Sequence, residues 1–124
     1  VSRLLYQAKA EFFKTLGHPV RIRALELLSE REHAVAEMLG EVGIEPANLS
    51  QQLAVLRRAG LVVTRKEGST VYYSLTSPHV AELLRVARQI LTSVLTGQVE
   101  LLDDLRMPAA SAELAPRTRG LRGG

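Results

Sequence analysis

No cysteine occurs among the 124 residues. Its absence excludes disulfides, zinc ribbons, thiolate metal sites and thiol redox switches together, and it fits a cytoplasmic protein. Tryptophan is also missing, and aromatic residues make up only 4% of the chain. With 46% hydrophobic residues a core can still form, built from Leu, Val and Ala and mainly helical. No run approaches about 18 apolar residues, so no membrane span is expected. No charged-then-apolar leader is present. No P-loop, catalytic triad or paired-carboxylate pattern appears, which argues against an enzyme. Formal net charge is only +3, and three arginines against one glutamate after Arg106 leave about +1 for residues 1–106. Basic character therefore has to be local to signify a nucleic-acid partner.

What the chain does have is concentrated between Pro46 and Leu75. Asn48-Leu49-Ser50-Gln51-Gln52-Leu53-Ala54-Val55-Leu56-Arg57-Arg58-Ala59-Gly60 reads as an amphipathic helix of about residues 46–59. At about 100° per residue, Leu49, Leu53, Leu56 and Gly60 fall on one narrow stripe. Gln51 and Arg58 lie opposite, near Asn48, while Ser50 and Arg57 share one flank and Gln52 sits on the other. Small residues on the outward face let a helix enter a major groove, where Gln and Asn pair with adenine and Ser serves several base edges. The same face suits plain solvation.

Its surroundings favour the groove. Pro46 fits a first helical position, where a missing N–H is harmless. Upstream, Val35, Met38, Leu39 and Val42 mark a short helix stopped by Gly43, and Gly43-Ile44-Glu45 is the tight connection of a helix-turn-helix. Downstream, 61–65 is a β-branched run, and Val71, Tyr73 and Leu75 alternate with Thr70, Tyr72 and Ser74 as in a half-buried strand. Glu67-Gly68 joins the two into a wing, 61–75. Arg65 and Lys66 beside the turn suit phosphate contact or charge protection of an edge strand. A winged helix-turn-helix meets DNA this way; the alternative is a winged-helix protein–protein interaction module.

Further helices are expected over 3–16, with Leu5, Ala8, Phe12, Phe13 and Leu16 on one face, over 19–29, and over 79–106. The last spans roughly 42 Å at about 1.5 Å per residue, longer than a domain of this size, yet stays apolar throughout. Val80, Ala87, Val94 and Leu101 recur every seven residues. Such a face calls for a helix from another chain, unless Gly97 folds it back as a hairpin. The expected homodimer interface therefore includes Leu5, Phe12, Leu83, Ile90, Leu91 and Val94. Residues 1–106 form one DNA-binding and dimerisation domain in this reading. Residues 107–124, with Arg117, Arg119 and Arg122, form a disordered basic tail.

The order of helix, Leu16-Gly17-His18-Pro19-Val20-Arg21-Ile22-Arg23, helix-turn-helix, Ser50-Gln51-Gln52-Leu53-Ala54-Val55-Leu56-Arg57-Arg58-Ala59-Gly60-Leu61-Val62, wing and long last helix resembles the ArsR/SmtB family of bacterial repressors over residues 5–105. The resemblance implies a mainly α fold with a small β-hairpin, dimeric through its first and last helices. It implies a repressor that binds an inverted-repeat operator in double-stranded DNA and leaves it when an inducer binds. The family's cysteine site would fall on Glu32-His33-Ala34-Val35-Ala36-Glu37, where Ala stands for each thiolate. Its site on the long helix would fall on Ser77, His79, Ile90 and Ser93, of which only His79 remains. Gln52 stands where many members have His. Without thiolates, a metal such as nickel or zinc needs nitrogen and oxygen ligands. His79 with Glu82 at i+3 is the best anchor, and it is half a site, so binding is expected to be weak. His33 with Glu37 at i,i+4 is a looser pair and reads better as a solvated face. His18 before Pro19 is expected to cap or pack at a turn, and Asp103-Asp104 to be exposed charges.

Overall fold

The computed structural model describes residues 2–107. Its elements are α1 (Ser2–Leu16), α2 (Pro19–Glu30), β1 (His33–Ala34), α3 (Val35–Val42), α4 (Pro46–Arg58), β2 (Val62–Glu67), β3 (Thr70–Leu75) and α5 (Pro78–Arg106). Two units compose the chain, Val1–Leu83 and Leu84–Gly124, with the division inside α5. The basic tail lies outside the described residues, apart from Met107.

Local chemistry sets most boundaries of the first unit. His18 caps α2, its Nδ1 accepting from Val20 N at 3.2 Å, and Pro19 follows at the first turn. Glu37 folds back so that Oε1 accepts from Ala34 N at 2.9 Å and starts α3. Gly43 ends α3 with φ of 70°, its N–H donating to Leu39 O at 3.0 Å. Helices α2, α3 and α4 pack around Leu25, Met38, Leu49, Leu53 and Leu56, all essentially without exposure, and Val62 of β2 joins them. Burying such side chains stabilises by about 1.5–3 kcal/mol each relative to exposure.

The hairpin closes through Gly68-Ser69, one residue later than the sequence pattern placed it, because Glu67 still pairs with Thr70 at the end of β2. Gly68 has φ of 63° and Ser69 does not share its sign, as in the tight turns that match strand twist. A strand the sequence did not disclose, β1, pairs antiparallel with β3, His33 with Tyr73 and Ala34 with Tyr72, giving the order β1-β3-β2.

In the second unit α5 continues unbroken past Gly97 to Arg106, so the hairpin alternative for that segment is set aside. The helix exposes Ile90, Leu91, Val94, Leu95, Leu101 and Leu105. No helix among the described residues is long and apolar enough to cross a membrane.

Candidate nucleic-acid interface

Helix α4 turns Leu49, Leu53 and Leu56 inward, and that packing decides what remains outside. Ser50, Gln51, Arg57 and Arg58 are exposed and have no side-chain partner among the described residues. Arg57 and Arg58 occupy the last turn, where the helix dipole favours cations. With Ala54 and Tyr73 they line an open cleft between α4 and the hairpin. The helix therefore offers hydroxyl and amide groups near its middle and two unpaired guanidinium groups at its end, the chemistry that base edges and phosphates accept.

Gln52 departs from the sequence reading, which counted it among the DNA-binding residues. It is 8% exposed. Its Oε1 accepts from Arg21 Nε at 2.9 Å, and its Nε2 donates to Asn48 Oδ1 at 3.1 Å. Gln52 flanks the Leu stripe, and α2 packs over that flank, so its amide is used within the protein. Asn48 is exposed, with its carbonyl oxygen engaged by Gln52. Arg21, half-buried on α2, is the residue that sequence reasoning missed. It lies two residues after Pro19, but nothing local ties it to a helix far downstream.

The two wing cations also separate. Arg65 is gripped by Glu32, Nη2 to Oε1 at 2.5 Å and Nε to Oε2 at 3.2 Å, and by Glu67, Nη1 to Oε2 at 2.7 Å. Its guanidinium lies 4.5 Å from the centroid of Tyr72, a cation–π contact. Hydrogen bonds donated to Glu32 and then to Glu67 raise its pKa further above the usual range, and Arg65 in turn holds the Glu32 carboxyl below its ordinary value. Lys66, next along the strand, is exposed and makes no ion pair among the described residues.

The metal candidates do not assemble. His33 is buried at 3% exposure, with Nδ1 2.9 Å from Arg31 O, so it belongs to neither a solvated face nor a ligand pair. Its supposed partner Glu37 is taken by Ala34 N and by Arg31 Nη2 at 2.8 Å, and the Arg31 contact is the larger cause of its lowered pKa. His79 is exposed, with Nδ1 2.9 Å from Ser77 Oγ, the same hydroxyl that accepts from His79 N at 3.1 Å. Glu82 is exposed on the next turn. Among the described residues no three of His, Asp or Glu come together as a metal site.

Of the residues expected at a dimer interface, Leu5, Ile90, Leu91 and Val94 are 51%, 58%, 58% and 48% exposed. Leu5 belongs to the first unit, and Ile90, Leu91 and Val94 to the second. Phe12 and Leu83 are half-buried.

Comparison with known proteins agrees with this architecture. Residues 18–64 match the family described as bacterial regulatory protein, arsR family. An uncharacterized HTH-type transcriptional regulator of Mycobacterium tuberculosis, Rv0081, is 58% identical over 106 residues, which are 85% of this chain and 93% of that protein. Its crystal structure superposes with a TM-score of 0.73 over 77% of this chain and 96% of that one. The biofilm growth-associated repressor of Xylella fastidiosa is 43% identical over 75 residues, 60% of this chain and 66% of the repressor. The solution structure of the homodimeric winged helix-turn-helix DNA-binding domain of Mb0332 from Mycobacterium bovis has a TM-score of 0.69 at 29% identity, over 76% and 87% of the two chains. Helix-turn-helix, wing and relatives agree: the chain belongs to the arsR family of bacterial regulatory proteins, DNA-binding transcriptional regulators and not enzymes.

Proposed function

We propose that the chain is a homodimeric repressor that binds an inverted-repeat operator, with α4 in the major groove and the hairpin on the sugar–phosphate backbone. The observation that carries this reading is the outward face of α4, where Ser50, Gln51, Arg57 and Arg58 stand exposed without side-chain partners among the described residues while the opposite face is packed. A helix used against protein would offer apolar or acidic groups there. Lys66 supplies a phosphate contact from the wing. A second copy covers the exposed aliphatic faces of α1 and α5, and the two-fold symmetry of such a dimer is what an inverted repeat matches. The release signal is a ligand other than a tightly held metal, since His79 and Glu82 supply only part of a coordination sphere.

Sequence selection from random duplex DNA, with sedimentation of the free protein, tests both halves. The expected result is an enriched palindrome with half-sites about one helical turn apart and a dimer at micromolar protein. A monomer in sedimentation, or binding with no enriched sequence, removes the proposal. Heparin-like retention without selection would favour general anion binding instead.

A further inference from the structure

Arg21 joins three helices through hydrogen bonds that run in one direction. Its Nη1 donates to Thr15 O in the last turn of α1 at 3.0 Å, and its Nε donates to Gln52 Oε1 at 2.9 Å. Gln52 Nε2 then donates to Asn48 Oδ1 at 3.1 Å. A guanidinium has no acceptor, so Arg21 admits only the oxygen of the Gln52 amide. That choice turns the Gln52 NH2 toward Asn48, and an NH2 admits only the Asn48 oxygen. The series has one polarity. Gln52 is nearly buried, so water competes little for the links. Its outer end is at the surface: Asn48 is exposed in the first turn of α4, and its Nδ2 has no acceptor among the described residues.

We propose that Arg21 and Gln52 are positioning residues that hold the Asn48 amide with its N–H donors outward, so that Asn48 selects against cytosine, the base that shows the groove no acceptor, at one position of each half-site. The inference rests on the proposed seating of α4 in the major groove. There guanine O6 and N7, thymine O4 and adenine N7 accept hydrogen bonds, adenine N6 and cytosine N4 donate them, and cytosine alone shows no acceptor. A freely turning asparagine meets either kind and pairs with adenine through both amide atoms. An asparagine held from behind offers donors alone: adenine can then meet it only through N7, and cytosine faces it donor to donor, with both groups left unpaired. Part of the base preference is thus written inside the protein, by an arginine on α2 that does not touch DNA.

The experiment is selection of half-site sequences from a randomised library by wild type, Gln52→Glu, Asn48→Asp and Asn48→Ala, each checked for folding by circular dichroism. A carboxylate at position 52 still accepts from Arg21 but cannot donate. The Asn48 amide then turns over, donates inward and presents its oxygen. Wild type is expected to deplete cytosine about tenfold against guanine or thymine at one position, and Gln52→Glu to enrich an amino base, adenine or cytosine, at the same position. Asn48→Asp keeps one oxygen on Gln52 Nε2 and shows the other to the groove, so it too should select an amino base. Because position 48 is exposed, this variant decides the matter should Gln52→Glu not fold. Asn48→Ala should lose the preference there and keep the rest of the site. A Gln52→Glu protein that binds every sequence more weakly without moving the preferred base overturns the relay and leaves the groove seating standing. So does a wild type with a specific site but no position that excludes cytosine, or Asn48 variants that select as wild type does. A wild type that enriches nothing removes the groove seating, and the relay with it.

Discussion

Neighbouring cations on one strand should respond differently to removal. Lys66 makes no ion pair among the described residues, whereas Arg65 is gripped by Glu32 and Glu67 and covers the face of Tyr72. A phosphate meeting Lys66 displaces only counterions. One that recruits Arg65 must first break contacts to two carboxylates. Each phosphate neutralised on duplex DNA contributes about 0.9 to the slope of log K against log salt, so Lys66→Ala should lower the slope by about 1.8 for a dimer with two wings. Between about 50 and 200 mM salt, that difference amounts to a roughly 12-fold smaller loss of affinity than wild type suffers. Arg65→Ala should change the slope by less than half as much and act mainly by lowering the melting temperature of the free protein. Fluorescence anisotropy on a labelled operator across that salt range reads the slopes. Equal slope losses in the two variants would mean that Arg65 leaves its carboxylates for phosphate on binding, and would refute the assignment of the wing contact to Lys66 alone.

Gln51→Ala should weaken specific binding by ~1–3 kcal/mol and relax preference at one base pair per half-site; equal loss on random DNA in the same titrations would misplace the groove face. Ile90→Asp puts a charge on the exposed aliphatic face of α5, and sedimentation should find monomers whose operator affinity is lost in parallel. A dimeric Ile90→Asp protein would point to a different interface. Leu53→Ala, at 1% exposure, should cost about 2–5 kcal/mol in denaturant unfolding, and a loss under about 1 kcal/mol would mean that the site collapses around the gap. Glu32 and Glu37 both titrate below the ordinary glutamate value of 4.5, Glu32 through Arg65 and Glu37 through Arg31. Folded-state values that are depressed give stability that is whole above the ordinary value and lost as pH falls through the folded one. Glu32→Gln and Glu37→Gln should therefore flatten the acid side of the melting-temperature profile below pH 4.5, with no flattening above it.

What could be read from the sequence was whatever is written within a few residues. Pro19, Gly43 and Pro46 mark helix boundaries by their own backbone chemistry, and the Leu49, Leu53, Leu56 spacing fixes which side of α4 is inside. Glu67-Gly68 indicated the turn, and only the register placed it one residue later. Less legible were pairings between distant segments. Strand β1 is two residues long and has no period to detect; it exists because Tyr72 and Tyr73 lie alongside. The helical wheel gives Gln52 an angle next to the buried stripe but says nothing of Arg21, 31 positions earlier. A cation beside a turn serves phosphate or carboxylate equally well, and Arg65 was decided by Glu32, 33 positions away. His33, paired at i,i+4 with Glu37, read as part of a solvated face, yet strand pairing and the Arg31 carbonyl take it inside.

The short pairing of β1 with β3 has a kinetic meaning. Ala34 and Tyr72 close a loop that contains α3, α4 and β2, and closing a loop of that length costs about 3 kcal/mol of chain entropy. Two residues of ladder do not supply that; the helices packed within the loop do. The clasp and its contents therefore open together. In amide hydrogen exchange, β1 should report the opening free energy of the whole reading unit rather than the fraying of a two-residue strand.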